Sequence, residues 1–161
     1  MIINKLHDQI NKKKSFLCIG LDIDKNKIPK SILELDEPIF EFAKRIIDST
    51  NKYAIAYKPN IAFFEAYGSN GFKSLDKIAN YLNQSYPEIF TIADAKRGDI
   101  GNTSKMYANA FLEELNFDSI TVSPYMGSDS VEPFLSIEDK LVFLLTSVSY
   151  THLPLPTTPY V

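Results

Sequence analysis

The chain has a single cysteine, Cys18, in 161 residues. It can form no intrachain disulfide, so a reducing compartment, the cytoplasm, is expected. Its only histidines are His7 and His152. With Cys18 alone beside them, the sequence offers no metal-binding cluster, and no metal or other cofactor is expected. Basic excess is also lacking. Lys+Arg number 17 against 20 Asp+Glu, a net charge of −3, which argues against a nucleic-acid or membrane-surface partner. The N-terminus, MIINKLHDQINKKK, has no apolar signal core. The longest uncharged apolar run, Leu141 to Leu145, is far too short to span a bilayer. There is no internal repeat and no low-complexity block.

What is present is ordinary globular material. The chain is 45% hydrophobic and 23% charged, which excludes a disordered chain and supplies a real core. Its length suits one domain. Short β-type runs alternate with helical patterns. Strands are predicted at 16–21 (FLCIGL), 53–57 (YAIAY), 89–93, 119–123 and 141–145. Each is apolar on both faces, as strands of a covered parallel sheet are. Cys18 is expected to be buried in the first of them.

Between the strands lie amphipathic stripes. Residues 2 to 13 read as a helix with Ile3, Leu6 and Ile10 on one face and His7 at the surface. Ile39, Phe42, Ala43, Ile46 and Ile47 follow Pro38, a good first-turn residue. Leu75, Ile78, Ala79 and Leu82 form another stripe, and Tyr107, Ala110, Phe111 and Leu115 a further one. A short helix is expected from Ser128 or Asp129. This order implies a parallel sheet with right-handed crossovers. Two architectures fit: an open doubly wound sheet, or a (β/α)8 barrel. The strand starts recur every 31 residues or so, and eight such units need about 250 residues. At 161 residues the chain holds about five, either a complete open sheet or part of a barrel.

The C-terminus differs from the rest. After Lys140 come 21 residues without Asp, Glu, Lys or Arg, and three of the nine prolines fall in the last eight positions. That composition suits neither strand nor helix. A natural Pro-rich tail is one reading. The favoured one divides the chain into a fold-bearing part, 1–147, and a foreign-looking tail, 148–161, which resembles translated adapter or vector sequence.

The densest chemistry lies in DAKRGDIGNT, residues 94–103. Asp94 and Lys96 are two apart at the end of the third strand, so they share a face. Asp99 follows in the loop that opens the next helix. Charge runs are commonly solvated faces, but this one follows an apolar strand directly. Two more strand ends carry charge: Asp22 after the first and Lys58, within YKPN, after the second. The C-terminal ends of parallel strands carry active sites, and a parallel sheet would gather these four groups at one rim. Alternating signs keep each group charged. A fixed carboxylate beside a substrate anion disfavours that ground state, and a protonated lysine can stabilise a carbanion and then supply a proton.

These motifs together, GLD, KPNIAFFEAYG (58–68), DAKRGDIGNT and TVSPYMGSDSVEPF (121–134), resemble the orotidine 5′-phosphate decarboxylase family, in the subgroup whose motif reads KRGDIGNT. The resemblance covers about residues 1 to 147. It implies a (β/α)8 TIM barrel, truncated here after about the fifth strand, and a cofactor-free homodimer with a shared active site. It implies decarboxylation of orotidine 5′-monophosphate to uridine 5′-monophosphate, the last step of pyrimidine nucleotide synthesis. Asp22 then matches the aspartate on the ribose. Lys58 belongs to the charge array, with Asn60 beside the substrate. Asp94 faces the reacting carboxyl group, and Lys96 is the proton donor to C6. Asp99 and Thr103 match residues that reach the partner subunit's site, and Ser147 matches a pyrimidine-contacting serine. The family's phosphate grip, a glutamine and an arginine on later units, has no counterpart in this sequence. Two other readings stay open: a magnesium-dependent sugar-phosphate decarboxylase or aldolase of the same superfamily, and a catalytically silent fragment or interaction protein.

Overall fold

The computed structural model describes residues 2–146. Ser147, His152 and the rest of the 148–161 tail lie outside the described residues. The elements run α1 (Ile2–Lys13), β1 (Leu17–Leu21), α2 (Lys30–Leu33), α3 (Pro38–Thr50), β2 (Ala54–Pro59), α4 (Ile61–Glu65), α5 (Gly68–Ser85), β3 (Phe90–Arg97), α6 (Gly101–Ala108), β4 (Ser119–Val122), α7 (Glu132–Leu135) and β5 (Leu141–Leu144). A π-helical segment, Asn109–Glu114, continues α6. No helix among the described residues is long and apolar enough to cross a membrane.

The five strands form one parallel sheet in the order β1-β2-β3-β4-β5. That order decides between the two architectures. A doubly wound sheet reverses its strand order at a switch point, whereas a barrel adds each new strand on the same side of the last. The winding here is the barrel's, and five of its units are described.

Each helix forms where its apolar spacing and its first residues allow. Pro38 opens α3 at a position where its missing N–H costs nothing, and Ile39, Ala43 and Ile47 are buried at intervals of four. In α5 the buried stripe is Gly71, Leu75, Ile78, Ala79 and Leu82. Gly71 is required by close approach, because a Cβ there would lie 1.8 Å from the carbonyl oxygen of Phe64 in α4. These helices pack on Tyr57, Ala93, Ala95, Ile120 and Val122 in the main core. In α1 the inward stripe is Ile2, Leu6 and Ile10, against Ala56, Phe90 and Ile92. Ile3, expected on that face, is exposed instead: 3, 6, 10 and 2, 6, 10 are both helical spacings, and the way α1 docks on Ala56, Phe90 and Ile92 turns the second set inward. Lys5 fastens the helix by a 2.7 Å ion pair to Asp118, whose carboxylate also accepts the Thr91 N–H and hydroxyl.

The strand expectations hold in number and place, with two corrections. First, β3 runs four residues further than expected, to Arg97. Its charged end stays in the sheet because Arg97 pairs with Val122 and its carbonyl accepts the Ser123 N–H at 2.7 Å. Second, only β2, β3 and β4 are covered on both faces. In β1 and β5, at the sheet's edges, Leu17, Phe143 and Leu144 are exposed. Cys18, expected to be buried, is exposed too, since β1 has a neighbour on one side only among the described residues.

Candidate active site

The C-terminal ends of β2 and β3 bring three charges together. Lys58 Nζ lies 2.7 Å from Asp94 Oδ2, and Lys96 Nζ lies 2.5 Å from Asp94 Oδ1. One carboxylate therefore bridges two ammoniums. Asp94 is 10% exposed, against 52% for Lys96, so the anion sits inside and one of its cations faces outward at the rim. Burial pushes the Asp94 carboxyl up, but hydrogen bonds from Lys58 and Lys96 outweigh it and hold the group below its ordinary value. The carboxylate stays ionised because it has these two partners.

The backbone explains why the triad forms. Lys58 follows the fully buried Tyr57, which is anchored outward by hydrogen bonds of its hydroxyl group with Thr50 and with the carbonyl of Ile47. Strand alternation then aims Lys58 to the other face. Asn60 bridges to Asp94 across the strand ends, and its Nδ2 donates to Asp22 Oδ2 at 3.0 Å. The first-strand aspartate is thereby tied to the same rim. Lys96 has φ of +50°, a left-handed conformation that costs a non-glycine residue about 1–2 kcal/mol. Two anchors hold it there. Its N–H donates to Thr121 Oγ1 at 2.9 Å. Next to it, the Arg97 guanidinium pairs with Glu65 and lies over the rings of Tyr107 and Phe111 at 5.1 and 5.5 Å. Gly98 follows because a Cβ there would meet the Ser123 carbonyl oxygen at 2.2 Å.

Asp99 and Thr103 stand apart from the triad. The Asp99 carboxylate accepts the N–H of Ile100 at 2.7 Å, and it forms no ion pair with Lys58 or Lys96 among the described residues. Its backbone is fixed by Ser104, whose hydroxyl accepts the Asp99 N–H at 3.0 Å and lies 2.9 Å from the carbonyl oxygens of Asp99 and Ser130. Thr103 is half-buried on the first turn of α6. Of the residues singled out in the sequence, Lys58, Asp94 and Lys96 thus form one contact set and Asp22 and Asn60 a second beside it, while Asp99 and Thr103 belong to neither. Thr121, Arg97, Glu65 and Ser104 were not singled out. Thr121 does leave a trace in the sequence: it is a polar residue inside an apolar strand, one strand over from Asp94.

A carboxylate flanked by two lysines on a barrel rim can repel an incoming anion from one side and deliver a proton from the other. Residues 15–152 match the model of the Orotidine 5′-phosphate decarboxylase / HUMPS family. The orotidine 5′-phosphate decarboxylase of Flavobacterium johnsoniae is 63% identical over 149 residues, which is 92% of this chain and 55% of that protein. The one from Phocaeicola vulgatus is 58% identical over 145 residues, 90% of this chain and 53% of the relative. Among solved structures, Leishmania donovani OMP decarboxylase superposes with a TM-score of 0.71 at 40% identity, covering 86% of this chain and 52% of that one. The chain spans about half the length of the relatives it matches. With barrel winding, the strand-end charges and these matches all in agreement, the chain belongs to the orotidine 5′-phosphate decarboxylase / HUMPS family.

Proposed function

We propose that this chain carries the decarboxylation half of an orotidine 5′-monophosphate decarboxylase, a lyase that yields uridine 5′-monophosphate and carbon dioxide. The observation that carries the reading is the Lys58–Asp94–Lys96 triad at the ends of β2 and β3. Asp94 faces the substrate carboxylate and destabilises it before reaction. The C6–carboxyl bond breaks, carbon dioxide leaves, and the electron pair stays on C6. Lys96 stabilises that carbanion and donates its proton to it. Lys58 holds Asp94 ionised and in place. Asp22 takes the ribose, with Asn60 fixing its carboxylate, and Ser147 takes the pyrimidine.

Asp99 and Thr103 serve the partner subunit's site in a homodimer. Their separation from the triad in one chain, beside the exposed Ile100 and Met106, supports that role. The protein works in the cytoplasm. The direct test joins residues 1–146 to the C-terminal half of the Flavobacterium johnsoniae relative and follows the loss of orotidine 5′-monophosphate absorbance. Turnover that survives chelation supports the reading. No turnover, or turnover only with magnesium on a sugar phosphate, sinks it. A silent fragment is the second reading, favoured by the exposed apolar residues of β1 and β5.

A further inference from the structure

Thr121 sits in β4, a strand that contributes none of the charged groups. Its side chain is nonetheless turned to the triad. The hydroxyl donates to Asp94 Oδ1 at 3.1 Å and accepts the backbone N–H of Lys96 at 2.9 Å. Asp94 Oδ1 is the same oxygen that Lys96 Nζ touches. A ring results: from the Lys96 N–H through the Thr121 hydroxyl to Asp94 Oδ1, then to Lys96 Nζ and back along the lysine's own side chain. Both ends of Lys96 are referred to one oxygen atom. The residue is 8% exposed, and a buried hydroxyl is unfavourable unless hydrogen-bonded. Here its donor and one acceptor site are both used.

Valine has nearly the same shape and a high strand propensity. A purely structural position in an apolar strand would be served as well by it. What threonine adds is the donor to the carboxylate and the acceptor for a residue in a left-handed conformation.

We propose that Thr121 is the positioning residue of this site, fixing the Asp94 carboxylate and the Lys96 backbone in one geometry through a single hydroxyl group. The proposal rests on the decarboxylase reading for its kinetic consequence, but not for its structural one. Among the described residues, the charged groups bonded to Asp94 are Lys58 from β2 and Lys96 from β3 itself; Asp22 is linked to it through Asn60, and β4 contributes the neutral Thr121. Removing a donor to the charged form disfavours that form, so the Asp94 titration midpoint moves up when the hydroxyl is lost.

The test uses the completed protein described above, with Thr121→Val and Thr121→Ser. Carbon-13 NMR follows the Asp94 carboxyl, and steady-state kinetics separate kcat from KM. In Thr121→Val the Asp94 midpoint is expected to rise by about one unit and kcat to fall about tenfold at nearly constant KM. Thr121→Ser is expected to restore both. A wild-type midpoint and kcat in the valine variant overturns the proposal, as does failure of serine to restore them. Thr121→Ala is read in the same way if the valine variant does not fold. If the wild-type protein shows no decarboxylation, the functional reading falls, and the Asp94 midpoint alone then decides for or against Thr121.

Discussion

The β3 end of the triad, Asp94 and Lys96, is only a few residues from the Asp99–Thr103 segment in sequence, yet the two are built differently. Lys58, Asp94 and Lys96 stand on the ends of paired strands, and cross-strand bonds fix each of them. Asp94 is bridged by Asn60, bonded by Thr121 and held by two ammoniums. Asp99 stands in a loop and uses its carboxylate on the neighbouring Ile100 N–H. The backbone of the segment is well anchored through Ser104, but its functional side chains meet no part of the triad. A sheet can complete a charge cluster within one chain. A helix start beyond the strand end leaves its side chains outside that cluster.

The sharpest break of that comparison is Lys96→Ala. Loss of the proposed general acid is expected to lower decarboxylation by the completed protein roughly 10³-fold, with the fold retained, since Lys58 still pairs with Asp94, and some loss of melting temperature from the missing partner. Near wild-type turnover would remove Lys96 from the mechanism.

A smaller effect is expected from removing the second half of the barrel. Residues 1–161 alone retain the triad, but β1 and β5 keep exposed apolar residues, which favour association over a stable monomer. Remote binding energy can also drive chemistry, and the family resemblance implies a phosphate grip on units later than those described. Turnover about a hundredfold below that of the completed protein is expected on the same assay. Equal turnover would mean that the triad suffices.

Mixing Asp99→Ala with Lys96→Ala sharpens the comparison from the other side. In a two-fold dimer with shared sites, each mixed dimer has one site with both residues intact. Random exchange should then restore about a quarter of wild-type activity, since half the dimers are mixed and each has one good site of two. With Asp99→Ala inactive alone, no recovery in mixed dimers demonstrated by mass spectrometry would show that Asp99 acts within its own chain, whereas activity of Asp99→Ala alone would show that it does not act at all.

Much of this was legible in the sequence, and the physical reasons differ by feature. The five strands show as short apolar runs, and DAKRGDIGNT shows as charge placed directly after one of them. Lys58 and Asp94 could be paired in advance because period-two alternation and parallel order put them at neighbouring strand ends. The extension of β3 to Arg97 was not legible, since charged residues carry no strand signal and the pairing with Val122 is a long-range contact. The exposure of Cys18 depended on its strand lying at an edge, which no local pattern encodes. Helix α4 was missed because its five residues are too few for a periodicity. Thr121 acts through a hydrogen bond to a residue 27 positions away, and one polar residue in an apolar strand does not reveal its partner.

The smallest predicted effect concerns pH, and it tests whether pairing or burial governs Asp94. Burial raises the carboxyl and the two lysines lower it, with the lysines ahead, so the folded value lies below the ordinary 3.8. A folded value below the unfolded one adds stability that is present above the unfolded pKa, about 3.9. That contribution is lost as pH falls through the folded value. The melting temperature of the completed protein is therefore expected to exceed that of its Asp94→Asn variant above about pH 5. The gap should narrow steadily in acid, because the wild-type carboxyl is then protonated and resembles the amide. If burial dominated instead, protonation would relieve the buried charge, and wild type would gain on the variant as the pH falls. Melting curves of the two proteins between neutrality and the acid limit distinguish these by the sign of a single slope. A gap that widens in acid would mean that Lys58 and Lys96 do not hold the carboxylate as their distances imply, and the triad would lose its electrostatic basis.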